Sequence, residues 1–373
     1  MFPNPSSGPV VGPAARRHRV TVAALAVAAV CSVAVTMAAS GASGASSSAG
    51  KSVKVALILK EFSNPYFVTM EANAKADAAK LGVRLTVSAG TTDSDTATQI
   101  TAIDNAIAAG DQGIVITPNG NAVNSAITKA RKAGLYTIAL DTAPIPASVV
   151  NITYATDNTA AGKLDGKWAA AKLAGKAADI ALLDDVNTEV VSVDVDRDHG
   201  FLEGMGIPVG NANINGKEPT SGHYTGGKGG SYKIACQLPT QGAIGIGKSA
   251  MQTCLQKDSK INVVYAINEP AAQGATEALK AAGSKAIVVA IDGGCTNLPF
   301  VANGSIGATA GQFPGKMAAD GVNAIYKLVT KHVHPADSPG LGFFNTGTKL
   351  YTNDPQPGVP SVNVAAAKKI CWG

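Results

Sequence analysis

From Val53 onward, short runs of uninterrupted apolar residues alternate with longer stretches of helical character, and this rhythm constrains the fold more than any other feature. Val53-Lys54-Val55-Ala56-Leu57-Ile58-Leu59, Leu85-Thr86-Val87, Gly113-Ile114-Val115-Ile116-Thr117 and Tyr136-Thr137-Ile138-Ala139-Leu140 read as strands. Helices are predicted from about Asn64 to Leu81, Ala97 to Ala109 and Ala122 to Ala133. A strand that is apolar on both faces needs cover on both, and parallel neighbours need a crossover, so the pattern means a parallel sheet between helical layers. The rhythm then repeats. Helix Ala160 to Leu173 leads to strand Ile180-Ala181-Leu182-Leu183 and a helix around Val193 to Met205. A Gly-rich excursion, Gly206 to Gly230, breaks the pattern before strands at Tyr232 to Ala235, Val263 to Ala266, Ala286 to Ile291 and Ile306 to Ala310. A chain of 373 residues, 46% hydrophobic and 15% charged, has room and apolar surface for two such units. The expected class is therefore α/β, with two doubly wound parallel-sheet lobes. No internal sequence repeat accompanies them. The tail from His332 to Gly373, rich in Pro, Gly and Asn, is expected to wrap the surface or add edge strands.

The first fifty residues read as an export leader and a Ser/Gly/Ala linker. Arg16-Arg17-His18-Arg19 is a positive start, Val20 to Ala39 is apolar, and Ser40-Gly41-Ala42-Ser43 offers small residues for cleavage. A single spanning anchor is the competing reading. A lipid anchor on Cys31 is disfavoured by Val30, where a small residue is wanted. Without the leader, 28 basic residues face 26 acidic ones, and no basic stripe points to nucleic acid. Four cysteines remain: Cys236, Cys254, Cys295 and Cys371. An even number in an exported chain favours two disulfides, and three pairings are possible. Cys236 with Cys254 and Cys295 with Cys371 is preferred, the first pair flanking one strand-to-helix unit. No CxxC spacing supports a metal site, and no cofactor is expected.

Ligands of doubly wound sheets bind beyond the carboxyl ends of the strands, so the residues that follow each strand are the candidates. They include Asn64, Tyr66 and Phe67 after the first strand, and Asp141 and Thr142 after the fourth. Arg197 lies on the helix after Leu183, Asn268 follows Ala266, Asp292 follows Ile291, and Gln312 follows Ala310. Such a set offers carboxylate acceptors, guanidinium donors and bifunctional amides to a ring of hydroxyls, with aromatic faces for the C–H side of a sugar. Each has a plainer reading. Asp141, Asp292 and Asn268 are suited to capping helices, Tyr66 and Phe67 to packing a core, and Arg197 and Gln312 to a solvated surface.

Asn64-Pro65-Tyr66-Phe67, Leu140-Asp141, Arg197-Asp198-His199-Gly200-Phe201, Asn268-Glu269, Ile291-Asp292-Gly293 and Gly311-Gln312-Phe313-Pro314 together resemble the type I periplasmic sugar-binding proteins, ribose binders above all, over about Val53 to Thr330. The resemblance implies a ligand role for those candidates and adds Lys60 and, less directly aligned, Gln241. It implies a three-strand hinge, with crossings near Thr156-Asp157, near Gln312-Phe313 and within the tail. The expected division is 51–157 with 313–335 in one lobe and 158–312 with 336–373 in the other. It also implies a monomer that closes on a sugar or polyol and docks on an ABC permease at the outer face of the membrane. A sensory subunit that presents ligand to a kinase or chemoreceptor is the alternative. Ribose binders place arginine after the aspartate where this chain has Thr142. Pentoses, hexoses and polyols therefore all stay open.

Two enzymatic readings fail. Gly242 to Ser249 fits Gly-x-x-x-x-Gly-Lys-Ser, but export removes the chain from ATP and Cys236 and Cys254 flank the segment. Lys60-Glu61-Phe62-Ser63-Asn64 lacks the glycines a dinucleotide pyrophosphate needs.

Overall fold

The computed structural model describes residues 52–373; the expected leader and linker lie outside them. The first lobe begins β1 (Lys54–Leu59), α1 (Pro65–Leu81), β2 (Arg84–Ala89), α2 (Thr96–Ala109), β3 (Gly113–Ile116), α3 (Asn124–Lys132), β4 (Tyr136–Leu140) and β5 (Ile152–Ala155). The second follows as α4 (Asn158–Leu173), β6 (Ala178–Asp184), α5 (Ser192–Met205), β7 (Ser221–Tyr224), β8 (Gly230–Pro239), α6 (Ile244–Lys257), β9 (Val263–Ala266), α7 (Glu269–Ala281), β10 (Ile287–Asp292), α8 (Leu298–Ala302) and β11 (Ala308–Gly311). The chain then returns through α9 (Pro314–Lys331) and β12 (Phe344–Asn345), and ends on β13 (Lys349–Tyr351), β14 (Ser361–Val362) and α10 (Val364–Ala367).

The two sheets run β12-β5-β4-β3-β1-β2 and β14-β13-β11-β10-β9-β6-β8-β7. Every pair in the first is parallel. The second is parallel except at its flanks, where β7 runs against β8 and β13 against β11. The central strands β3 and β9 are buried along their whole length, as continuous apolar runs between helical layers require. Each lobe has a core on either face of its sheet. In the first, Leu57, Leu59, Met70 and Met317 fill one side, and Ile58, Ile103 and Ile127 the other.

Local chemistry sets the element ends. Helix α1 starts where the Asn64 side chain accepts a hydrogen bond from the Tyr66 N–H, with Pro65 at the first helical position, and stops at Gly82 with φ 67°. In the second lobe α4 and α5 approach through facing glycines. A Cβ on Gly166 would stand 2.0 Å from the Phe201 carbonyl oxygen, and one on Gly200 2.4 Å from that of Thr159.

The chain crosses between sheets after β5, after β11 and between β12 and β13. Thr346 N–H donates to Ala155 O (2.8 Å), Thr348 Oγ1 to Gly311 O (2.9 Å) and Asp157 N–H to Asn345 Oδ1 (3.2 Å), so the three crossings brace one another. The expected division needs one correction. Phe344–Asn345 pairs with β5, so the tail does not belong to the second lobe from 336 onward. The cause is ring packing: Phe344 lies 4.8 Å from Tyr154. The excursion over 206–230 is also more than a surface loop, since its Ser221–Tyr224 segment becomes the edge strand of the second sheet.

Disulfides join Cys236 on β8 to Cys254 on α6, and Cys295 to Cys371. Among the described residues, no helix is long and apolar enough to cross a membrane.

Candidate functional site between the lobes

Both lobes place their polar residues at strand carboxyl ends, and these ends meet. With the edge strand β7 set aside, the first, second, third, fourth and fifth strands of each lobe lie in the same spatial order, β2-β1-β3-β4-β5 and β8-β6-β9-β10-β11. In such a sheet the crevice opens where the order reverses, beside the first and third strands. Lys60 follows β1, and Asp185 follows β6, its equivalent. Their charged groups stand 3.7 Å apart, and Lys60 Nζ is also 3.7 Å from Asp93 Oδ2. Burial works against the Lys60 charge, but Asp93 and Asp185 override it and hold the ammonium above its ordinary range. Burial pushes Asp93 up to about 7, although Lys60 pulls it back.

The fourth strands show the same equivalence. Asp141 follows β4 with φ 62°, and Asp292 ends β10 with φ 151°; both are sparsely populated conformations for a residue with a side chain. Tyr66 Oη donates to Asp141 Oδ1 (2.8 Å), Thr142 Oγ1 donates to Asp141 Oδ2 (2.9 Å), and Arg197 Nη2 lies 3.5 Å from Asp141 Oδ1. Arg197 is anchored from behind by Asn158 Oδ1 (2.8 Å, from Nε) and Ile267 O (3.0 Å, from Nη1). On the other side, Gln312 Nε2 donates to Asp292 Oδ1 (3.0 Å), and Tyr66 Oη reaches Gln312 Oε1 at 3.4 Å. Burial pushes the Asp292 carboxyl well above the usual range, against the pull of Arg197.

The structure thus brings Lys60, Asn64, Tyr66, Asp141, Thr142, Arg197, Asn268, Asp292 and Gln312 to the facing strand ends, all of them buried. Arg197 and Gln312 are not solvated. Asn268 does cap α7, accepting from the Ala271 N–H, while its amide donates to Gly242 O. Phe67 sits in the first-lobe core, edge-on to Tyr66 at 5.3 Å. Gln241 does not join them: it is exposed, on a turn with φ 51°, and its backbone N–H is tied to Asp185 O. The left-handed turn aims that side chain outward, while its neighbour Gly242 faces Asn268.

Sequence reasoning missed several participants. Asp185 immediately follows β6 and was within reach of the strand-end rule, which settled instead on Arg197 further along. Asn158 and Asp93 gave no local signal. Nor did Trp372. Its indole N–H donates to Asp292 O (2.8 Å), and its ring meets Tyr66 edge-on at 5.3 Å, because Cys371 is bonded to Cys295 just beyond β10. A cavity of about 280 Å³ opens beside Trp372, lined also by Asn64, Pro65, Ile244, Asp292 and Phe300. Further contacts join the lobes at the rim: Asn121 N–H donates to Glu189 Oε2 (2.9 Å), and Ser192 Oγ to Ala143 O (2.6 Å).

The segment that mimics a P-loop is used otherwise. Lys248 pairs with Glu277 at the surface (3.0 Å), and a Cβ on Gly247 would stand 2.6 Å from Ala271 O, so the glycine run serves the contact of α6 with α7.

Known proteins resemble the chain in both sequence and shape. It is 27% identical to the ribose import binding protein RbsB of Haemophilus influenzae, over 76% of this chain and 87% of that one. The D-ribose/D-allose-binding protein of Pseudomonas aeruginosa is 26% identical over 77% and 86%. A solved solute-binding protein of Actinobacillus succinogenes with bound D-allose superposes with a TM-score of 0.66 at 22% identity, covering 85% of this chain and 99% of that one. A galactofuranose-binding protein gives 0.68 at 23%, over 80% and 94%. Residues 55–332 match the periplasmic binding protein domain, and with two lobes whose strand ends converge on one polar cleft, the chain belongs to that family.

Proposed function

We propose that this protein is an exported, extracytoplasmic solute-binding component of an ABC importer, taking a monosaccharide or polyol between its lobes. The observation that carries the reading is the polar chain from Gln312 through Tyr66 and Asp141 to Arg197, which alternates donors and acceptors across both lobes. Such groups exchange their mutual contacts for hydroxyls at little cost, and a ligand held by both lobes shifts the population toward closure. The related proteins named for ribose, allose and galactofuranose support the sugar class. Thr142, which buttresses Asp141 where ribose binders carry arginine, argues for a ligand outside plain ribose. The test is a thermal-shift screen of pentoses, hexoses and polyols, followed by calorimetry on Asp141→Ala and Arg197→Ala. A hit should raise the midpoint by linkage, and each variant should weaken it by about a hundredfold, the cost of leaving a buried charge unpaired. Unchanged affinity in both variants would overturn the site, and micromolar ATP binding would overturn the class.

A further inference from the structure

Behind the cleft lies a second group of buried polar side chains, in which several oxygens and one imidazole nitrogen have no hydrogen-bond partner. Asp184 ends β6 and Asp185 follows it, the two side chains pointing to opposite faces. Asp185 turns to Lys60, whereas one oxygen of Asp184 takes the Gln237 amide (2.8 Å) and the other has no partner. Asp194 and Asp198 lie one turn apart on α5. Asp198 is fully buried, and neither of its carboxylate oxygens has a hydrogen-bond partner. Beside it, His199 Nε2 is buried and lies 3.3 Å from Glu218 Oε1 without the alignment of a hydrogen bond. Glu218 comes from the Gly-rich excursion, which reaches back over α5 to deliver it. One donor atom each from Asp198, His199 and Glu218 lie within 4.8 Å of one another. Burial first, and then Asp184, Glu218 and Asp194, drive the Asp198 carboxyl well above its usual range. A cavity of about 480 Å³ adjoins the group, lined by Asp184, Asp194 and Asn215 among others, and the Asn215 Oδ1 is also without a partner.

We propose that Asp198, His199 and Glu218 bind a divalent transition-metal cation in the second lobe, separate from the interlobe cleft. One imidazole with two carboxylates is a nitrogen–oxygen set that suits Zn²⁺ or Mn²⁺, whereas Ca²⁺ and Mg²⁺ take oxygen ligands throughout. Bonds of about 2.0–2.2 Å put tetrahedral ligand atoms about 3.3–3.6 Å apart, which the His199–Glu218 spacing meets already. Asp184 and Asp194 lie close enough to Asp198 to act on its charge, and both also line the neighbouring cavity. The ion would clamp the excursion onto α5, the helix whose Arg197 reaches the cleft. This gives the excursion, unexplained by the cleft, a part in the fold.

The test uses the full chain, stripped with chelator and free of sugar. Competition against a chromophoric chelator should show about one tightly bound Zn²⁺ per chain, and Zn²⁺ should raise the melting midpoint where Mg²⁺ and Ca²⁺ do not. Asp198→Asn and Glu218→Gln should each weaken Zn²⁺ binding by at least about tenfold while far-UV circular dichroism stays native. If Asp198→Asn fails to fold, Glu218→Gln on the excursion carries the test. A parent chain that binds neither Zn²⁺ nor Mn²⁺, or variants that bind as tightly as the parent, would overturn the site. A preference for Ca²⁺ would overturn its chemistry.

Discussion

The two lobes are built on one strand order, yet they differ in sign and in elaboration. After the first strand, one lobe presents Lys60 and the other Asp185; after the fourth, both present an aspartate in an unusual backbone conformation. Equivalent positions with opposite charge can meet, and here they do, whereas two copies of either lobe would repel. The aspartates avoid that conflict because Arg197 lies against Asp141 and Gln312 against Asp292. Elaboration is one-sided. Both disulfides, the edge ribbon and the buried carboxylates beside α5 lie in the second lobe, while the first is a plain parallel sheet held by packing. The difference teaches that a shared topology leaves each half free to find its own source of rigidity.

Helix contacts give the largest expected contrast. Gly166→Ala drives a methyl against the Phe201 carbonyl at 2.0 Å and should cost about 4 kcal/mol in the second lobe. Gly82→Ala in the first lobe meets no atom within 4 Å and should cost only the about 1 kcal/mol of a left-handed helix end. Urea unfolding followed by circular dichroism measures both, and equal costs would erase the distinction.

The disulfide comes next. Replacing Cys236 and Cys254 by serine opens a loop of 18 residues and should remove about 3 kcal/mol, lowering the denaturation midpoint without moving affinity for the cleft ligand. Loss of affinity to match would show that the bridge shapes the cleft as well as the lobe.

The smallest effect is set by pH, and both lobes contribute to it. Burial raises Asp93 in the first lobe to about 7 and Glu269 in the second to about 7, each above its unfolded value. A raised carboxyl contributes stability that is fully present below the unfolded pKa and is lost as pH rises through the folded one. Between pH 5 and pH 8 the melting midpoint should therefore fall by several °C. Asp93→Asn and Glu269→Gln should each flatten part of that slope. A midpoint that rises over this range would contradict both assignments.

Much of this architecture is legible in the sequence, for a physical reason. Strands buried on both faces, such as β1, β3, β4 and β9, must be apolar throughout, so they stand out from the helices around them. Strands without that requirement did not. Along β7 only Tyr224 is buried, so Ser221-Gly222-His223 looks like loop, and β12 and β14 are two residues each. The cleft followed the same logic. Asp141, Arg197, Asn268, Asp292 and Gln312 were found because strand ends converge whatever the loops do. Trp372 and Asp93 were not, because long-range contacts bring them in. Gln241 was placed by resemblance alone, and a single left-handed turn moves it outside.

The seat of Trp372 gives the proposed closure a signal of its own, without a label. The chain has two tryptophans. Trp168 is sealed inside the second lobe with its indole N–H on Asp354 O, and reports a constant environment. Trp372 stands at the seam, with a phenol of the opposite lobe against its ring and a strand-end carbonyl on its nitrogen. Any opening that parts Tyr66 from Trp372 would change the emission of one tryptophan and spare the other, so a difference spectrum against Trp372→Phe would isolate such a motion in real time.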